Sequence, residues 1–401
     1  MSLNDTPSGE RIHIGIFGKR NAGKSTLFNA LTGQDIAIVS DKPGTTTDPV
    51  SKAMELLPLG PVLITDTPGL DDSGDVGQLR VKKAEEILRN TDIAIIVINA
   101  VYGVSEEDTI LIEEIEKKNL PYIICFNKTD EADDIEKEQI IAKKSGYCMY
   151  VSAKSGQGIG ELKEKIVSLD VKTDKHLISD LIDPLDTIVL VVPIDKAAPK
   201  GRLILPQQQV IRDALEVGAT VIVTRDEELK DTLLKLREKP KAVITDSQAF
   251  NKVKDIVPDD IYLTSFSILM ARYKGDLEWQ VEGARAIDTL DSGSRILISE
   301  GCSHHRQCGD IGTEKLPKWI KEYTGKEFVF EFSSGREFPD DLSIYDMVIH
   351  CGGCTLNEKE MKYRISKAKE NNVPITNYGV MISYMNGILK RSLRLLTNQH
   401  H

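Results

Sequence analysis

The sequence predicts an α/β protein of three domains, each a mainly parallel doubly wound sheet. Three observations predict it. At 401 residues the chain is too long for one ordinary core. Short apolar, β-rich runs alternate with amphipathic stretches along its whole length, the pattern of parallel strands wrapped by helices. A polar, proline-bearing stretch, "LDVKTDKHLISDLIDPLD", interrupts the alternation and reads as a linker.

In the first block, residues 8–172, the strand candidates are "IHIGIF", "PVLITD", "IAIIVIN", "PYIICF" and "CMYVSA". The second block, residues 180–275, places strands at "TIVLVVPI", "ATVIVT", "KAVIT" and "IYLTS", with helical patterns "QQQVIRDALEVG" and "EELKDTLLKLRE" between them. A helical stretch around "LEWQVEGARAIDTL" leads to the third block, residues 290–398, whose strands are "RILIS", "FVFEF", "DMVIH" and "VPIT". Regular alternation makes two small doubly wound domains the simplest architecture for these later blocks.

Composition narrows the class. With 40% hydrophobic and 28% charged residues the chain is globular. It has no run of about 18 apolar residues, and "MSLNDTPSGE" lacks the basic and apolar regions of a signal peptide. A soluble cytoplasmic protein without a membrane partner is expected. The formal charge of -11 argues against a nucleic-acid surface, because phosphate binding draws on an excess of Lys and Arg. Six cysteines are too few for a disulfide framework. Cys125 and Cys148 sit beside apolar runs and read as small buried hydrophobes. His400 and His401 close the chain and are left out of the chemistry. Block two has no phosphate loop, metal-ligand cluster or nucleophile signature, which leaves it packing or self-association.

Chemistry enters with the first block. After its first strand comes Gly18-Lys19-Arg20-Asn21-Ala22-Gly23-Lys24-Ser25, with Thr26 opening a helix. The spacing wraps backbone N–H groups around a β-phosphate, puts Lys24 on the β/γ oxygens and Ser25 on Mg2+. Asp66-Thr67-Pro68-Gly69 follows the strand "VLIT", so Asp66 can orient a Mg2+-bound water and the Gly69 N–H can touch the γ-phosphate. Asn127-Lys128-Thr129-Asp130 and Ser152-Ala153-Lys154 each follow a strand. The Asp130 carboxylate can accept from guanine N1–H and N2–H, which adenine does not offer, so the nucleotide is GTP. The Ala153 N–H can donate to guanine O6, and the Lys128 stem can cover the ring.

Residues 11–170 resemble the translation-factor-related small GTPases of the Era and TrmE type. "PGTTTD" is similar to their first switch, which maps Thr46 onto the Mg2+-contacting threonine, although Thr47 stands where an arginine is usual. Leu70 occupies the place of a catalytic glutamine in Ras-like proteins, so hydrolysis is slow unless assisted. The resemblance implies the assistance: Asn21 ligates K+, which supplies positive charge where an arginine finger otherwise acts.

The remaining cysteines, Cys302, Cys308, Cys351 and Cys354, fall within 53 residues. Cys351-Gly-Gly-Cys354 at a strand end permits thiol redox chemistry. "RILISEGCSHH" ends another strand, so in a parallel sheet Cys302 lies at the same edge. Three thiolates can then converge with His304, His305 or His350 on a metal. Zinc and iron-sulfur both accept that set; the glycines, whose N–H groups can face sulfide, lean toward iron-sulfur.

Cys302-Ser303-His304, a gap of 45 residues, then His350-Cys351-Gly-Gly-Cys354 resembles the CxH…HCxxC signature of the FeFe-hydrogenase maturation GTPases, the HydF family. "GTTTDPV", "DTPGLDD" and "CSHHRQCGDIG" are similar to its wording, and the order of blocks is the same. The resemblance implies a homodimer formed through block two and a 4Fe-4S cluster on three cysteines of block three. It further implies a scaffold that receives a transient di-iron cluster from radical SAM maturases and delivers it to apo FeFe-hydrogenase. His304 and His350 are candidates for the fourth ligand, and Cys308 lies outside the signature. The alternative is a ribosome- or tRNA-associated GTPase with a structural zinc.

Overall fold

The computed structural model describes residues 6–33, 49–68, 75–132, 148–169, 175–194, 203–301, 310–335 and 337–397, the side chains of 75–82 excepted. Residues 6–173 and 174–401 divide into separate units.

The first unit runs β1 (Ile12–Phe17), α1 (Lys24–Thr32), β2 (Val50–Leu56), β3 (Gly60–Asp66), α2 (Asp75–Asn90), β4 (Ile93–Asn99), α3 (Glu106–Lys117), β5 (Tyr122–Asn127), β6 (Cys148–Tyr150) and α4 (Ile159–Val167). Its sheet has the order β2-β3-β1-β4-β5-β6, parallel except for β2. β4 is buried on both faces. Ile93, Ile95 and Val97 share a core with Leu27 and Leu162 of α1 and α4, while Ala94, Ile96 and Ile98 pack with Leu111 and Ile115 of α3. Burial on both faces is why "IAIIVIN" is apolar without alternation. Ser105 and Asp108 cap α3 reciprocally, each side chain accepting the other's backbone N–H. The sequence reading missed β2. Its residues alternate between half-buried and exposed, and among the described residues it pairs only with β3, so Ser, Lys and Glu are admitted and the apolar signal weakens.

The second unit holds two four-stranded, wholly parallel sheets among the described residues. The first comprises β7 (Thr187–Val191), α5 (Leu205–Glu216), β8 (Thr220–Thr224), α6 (Leu229–Lys235), β9 (Ala242–Thr245), α7 (Phe250–Val253), β10 (Tyr262–Ser265) and α8 (Phe266–Lys274), in the order β10-β9-β7-β8. After α9 (Leu277–Arg285) come β11 (Arg295–Glu300), a π-helical turn at Ile311–Lys315, α10 (Leu316–Thr324), β12 (Val329–Ser334), β13 (Met347–His350), α11 (Glu358–Glu370), β14 (Ile375–Asn377), α12 (Tyr378–Met385) and α13 (Leu389–Thr397). Their sheet order is β12-β11-β13-β14.

These sheets share one core, in which Val189, Val243 and Leu263 join Ile298, Met347 and Ile349. The last helix also crosses over. Leu395 of α13 packs with Ile188 and Ile244 of the preceding sheet, and Arg391 donates to the carbonyls of Lys254 and Val257 at 2.9 and 2.6 Å. The stretch expected to be a linker is half structural. Leu177, Ile178, Leu181 and Ile182 are buried in that same core, and Asp213 accepts the N–H groups of Leu177, Ile178 and Ser179. Polar neighbours and Pro184 hid this short apolar set. No described helix is long and apolar enough to cross a membrane.

Candidate functional site

The nucleotide-type site lies at the C-terminal edge of the first sheet. β1 ends at Phe17 and α1 begins at Lys24, two residues before the expected start, so residues 18–23 form the intervening loop. Gly23 has φ 92°, and a Cβ there would meet Asn127 Nδ2 at 2.2 Å, so glycine lets the loop close on that side chain. Asn21 has φ 60°, a left-handed conformation that asparagine tolerates better than most residues. Lys24 is buried, and its Nζ donates to the carbonyls of Gly18 at 2.9 Å and Lys19 at 2.8 Å.

Ser25 Oγ donates to Asp66 Oδ2 at 2.6 Å. Burial raises the Asp66 carboxyl above its ordinary range, against the lowering effects of the Ser25 bond, the Lys24 charge and the Thr67 N–H. Asp66 Oδ1 is buried and has no hydrogen-bond partner among the described residues. An orphaned carboxylate oxygen beside a serine hydroxyl is a donor set suited to Mg2+, which takes oxygen ligands directly or through its waters.

On the base side, Asn127 is buried at the end of β5. Its Nδ2 donates to the Ala22 carbonyl at 3.1 Å, and its Oδ1 accepts the Ala153 N–H at 2.9 Å. One side chain thus ties the phosphate loop to the Ser152–Lys154 loop. The N–H that sequence reading aims at guanine O6 is given to Asn127 here. Lys128 has φ 66° and turns the chain into the short helix Thr129–Glu131, leaving Asp130 exposed. Hydrogen bonding from Ser152, then the nearby Lys154 and Lys128 charges, holds the Asp130 carboxyl below its ordinary range, so it stays an ionised acceptor. Thr46 and Gly69 lie outside the described residues, as do Cys302, His304, His305 and Cys308.

The cysteine loop lies in the second unit. β11 is flanked by β12 on one side and β13 on the other, so the crevice between the ends of β11 and β13 is a topological switch point, the usual ligand position of open α/β sheets. Cys351 follows β13 there. Its Sγ accepts the Gly301 N–H at 3.0 Å and the Gly353 N–H at 3.4 Å. Thr355 Oγ1 donates to the Gly301 carbonyl at 2.8 Å, a second tie between the two loops. Gly353 has φ 61°, and a Cβ on it would come within 2.5 Å of Met361 Sδ. Cys351 and Cys354 carry thiols and are not joined in a disulfide. Paired N–H donors on a sulfur are the environment that stabilises thiolate and bound sulfide. Among the described residues no three His, Cys, Asp or Glu side chains converge on one point.

His350 has a different place from the one expected. It is buried, Nε2 faces Arg364 Nη1 at 2.9 Å, and Nδ1 faces the Cys351 carbonyl at 2.7 Å. A guanidinium only donates, so Nε2 is the acceptor and Nδ1–H the donor. Burial, with the Arg364 charge, pushes His350 down to about 3, and the ring is neutral. Both nitrogens are engaged by protein partners in this geometry, so His350 here supports the loop. Arg364 is fully buried and also binds Glu360 Oε1 at 2.9 Å and the Gly335 carbonyl at 2.8 Å. The sequence reading missed Arg364, as well as Lys274, whose Nζ donates to the carbonyls of Cys354 at 3.1 Å and Leu356 at 2.8 Å. It missed Glu300 too, the carboxylate at the end of β11 that accepts from Tyr378 OH at 3.2 Å. Only Glu300, two residues before Cys302, carries a signal in the sequence.

Residues 177–275 match the model of the hydrogen maturase F dimerization domain, and residues 278–395 that of the hydrogen maturase F tetramerization domain. Residues 13–128 match a 50S ribosome-binding GTPase model. The chain is 32% identical over 189 residues to GTPase Der of Kosmotoga olearia, covering 44% of this chain and 42% of that protein. It is 36% identical over 159 residues to the tRNA modification GTPase MnmE of Clostridioides difficile, covering 39% of this chain and 34% of that one. It thus spans less than half the length of these curated relatives. Among solved structures, a single-residue variant of Aquifex aeolicus Era bound to GDP.AlF4- aligns at TM-score 0.36 and 22% identity, over 53% of this chain and 94% of that one.

Proposed function

The chain belongs to the hydrogen maturase F family of GTPases, and we propose that it is an iron-sulfur scaffold and carrier, which receives the di-iron precursor of the hydrogenase H-cluster and transfers it to apo FeFe-hydrogenase. Its first unit binds GTP with Mg2+ and hydrolyses it. In this reading Ser25, Asp66 and Thr46 serve the Mg2+ position, Lys24 and the residue 18–23 loop hold the phosphates, and the Gly69 N–H senses the γ-phosphate. Mg2+ supplies charge neutralisation on the transferring phosphoryl group. Asn21 is the K+ ligand, and Asp130 and Lys128 select and cover guanine.

The convergence of the Gly301 and Gly353 N–H groups on Cys351 Sγ carries the cluster reading. It supports Cys302, Cys351 and Cys354 as the thiolates of a 4Fe-4S cluster at the switch point. The cluster supplies an iron to which the di-iron cargo can attach. Glu300 is an oxygen donor at the same edge, a chemistry that exchanges more readily than a fourth thiolate. The radical SAM maturases are the donors of the cargo. The dimerization domain, residues 177–275, offers β8, an edge strand that pairs only with β7 among the described residues, as the surface where a second copy adds.

Metal analysis after anaerobic reconstitution tests the reading. Iron and sulfide in equal amounts, with a reduced-state paramagnetic signal lost in Cys351→Ala, are expected. Stoichiometric zinc without iron would instead favour a ribosome- or tRNA-associated GTPase with a structural zinc, kin to MnmE in its first unit only.

A further inference from the structure

Thr67 follows the last residue of β3 and is 3% exposed. Its Oγ1 donates to the Ile16 carbonyl of β1 at 2.6 Å, and its N–H reaches the same carbonyl at 3.3 Å. A carbonyl oxygen has two lone pairs and can accept both. The N–H bond is the one that any residue except proline makes where the parallel ladder closes at Ile16 and Asp66. The hydroxyl bond is an addition that the side chain brings.

Both ends of this clamp lead into the nucleotide site. One residue past Ile16, β1 ends and the residue 18–23 loop begins, which carries the chain to Ser25 in the first turn of α1. One residue before Thr67 stands Asp66, whose Oδ2 accepts from Ser25 Oγ at 2.6 Å and whose buried Oδ1 has no hydrogen-bond partner among the described residues. Burial raises the Asp66 carboxyl, and the Thr67 N–H is among the groups that oppose the rise.

Packing does not call for the hydroxyl. Valine has the shape of threonine, suits a buried strand end and brings no polar group that must find a partner. What the hydroxyl adds is a fixed separation between two strand ends.

We propose that Thr67 is a positioning residue for GTP hydrolysis: its hydroxyl locks the end of β3 to the end of β1 and so sets where the Asp66 carboxylate stands relative to Ser25. Mg2+ demands near-ideal octahedral geometry, so a small drift of Asp66 acts on the metal more than on the nucleotide. This inference rests on the Mg2+ reading of Ser25 and Asp66 above.

Wild type, Thr67→Val, Thr67→Ser and Thr67→Ala are compared in two measurements on the whole chain. One is the Mg2+ concentration that gives half-maximal GTP hydrolysis. The other, independent of turnover, is the dissociation rate of a fluorescent GDP in Mg2+ and in EDTA. Wild type is expected to release the nucleotide more slowly in Mg2+. Thr67→Val is expected to need several-fold more Mg2+ and to lose several-fold of that slowing, while its rate in EDTA stays that of wild type. Thr67→Ser is expected to restore both. A wild-type Mg2+ response of Thr67→Val in both measurements overturns the assignment. So does a rate in EDTA that rises as much as the rate in Mg2+, the mark of a fold merely loosened. Should Thr67→Val fail to fold, Thr67→Ser against Thr67→Ala decides by the same two measurements. A wild type whose nucleotide release ignores Mg2+ overturns the Mg2+ reading itself, an outcome distinct from unchanged variants of a Mg2+-responsive wild type.

Discussion

Arg364 Nη1 donates to Nε2 of His350 across 2.9 Å, with both side chains buried beneath the cysteine loop. The lone pair that a histidine gives to a metal is therefore already used. His350→Gln is expected to keep the iron content and the reduced-cluster spectrum, and the wild-type spectrum is expected to lack nitrogen coupling from this ring in pulsed paramagnetic resonance. Such a coupling, abolished in His350→Gln, would make His350 a ligand after all. Arg364→Met removes the buried guanidinium that binds Glu360, His350 and the Gly335 carbonyl, and should cost about 3–5 kcal/mol in denaturant unfolding.

Asp130 gives the second prediction. A carboxylate accepts from both N1–H and N2–H of guanine, whereas asparagine presents one acceptor and one donor. Xanthine replaces the amino group with a carbonyl and matches the asparagine. Asp130→Asn is expected to lose about 100-fold or more in GTP affinity and to gain affinity for xanthosine triphosphate, read by fluorescent-nucleotide displacement. Unchanged GTP affinity would remove Asp130 from the base site.

Asn21 combines a backbone role with a proposed ionic one. Its φ of 60° means that Asn21→Ala would strain the loop and confuse the two. Asn21→Gly accepts that conformation and deletes only the carboxamide. Wild-type hydrolysis is expected to be about tenfold or more faster in K+ than in Na+, and Asn21→Gly to be equally slow in both. A K+ response that survives in Asn21→Gly would sink the assignment.

The phosphate loop, Asp66 and the Asn127-to-Asp130 run were legible in the sequence because each ties a chemical group to a fixed place after a strand. The apolar runs of β4, β11 and β13 were legible because burial on both faces leaves little room for polar residues. β2 was not, since an edge strand tolerates Lys52 and Glu55. Nor were Lys274 and Arg364, whose partners lie 80 and 14 residues away at Cys354 and His350. Such residues are defined by what they reach, and a lysine before a glycine or an arginine inside an amphipathic helix has no local mark of it.

The edge of the second sheet carries a prediction on assembly. β8 pairs with β7 alone among the described residues, and Val223 on it is 47% exposed. An exposed apolar edge strand is a template for a second copy unless charge blunts it. Val223→Lys is expected to leave circular dichroism and GTP hydrolysis unchanged while lowering the mass seen by light scattering at micromolar concentration. An unaltered mass with the fold intact would move the interface elsewhere.

The last prediction is that the two chemistries separate by mutation. Lys24 acts through phosphate electrostatics, and its buried ammonium already sits in the curve of the residue 18–23 loop, so Lys24→Ala should cost hydrolysis about 100-fold or more. The cysteine loop is held by Gly301, Thr355 and Lys274, all within the second unit, so the proposed cluster should form in that variant as in wild type. Conversely, Cys354→Ala deletes a thiolate that no described neighbour replaces, and should lose iron and hydrogenase activation while keeping GTP turnover. Iron content, GTP hydrolysis and activation of apo-hydrogenase are scored on the same anaerobic preparations. Normal iron and full activation in Cys354→Ala would remove the cluster from this loop. Loss of GTP hydrolysis in a folded Cys354→Ala would show a coupling between the units that neither site's own contacts account for.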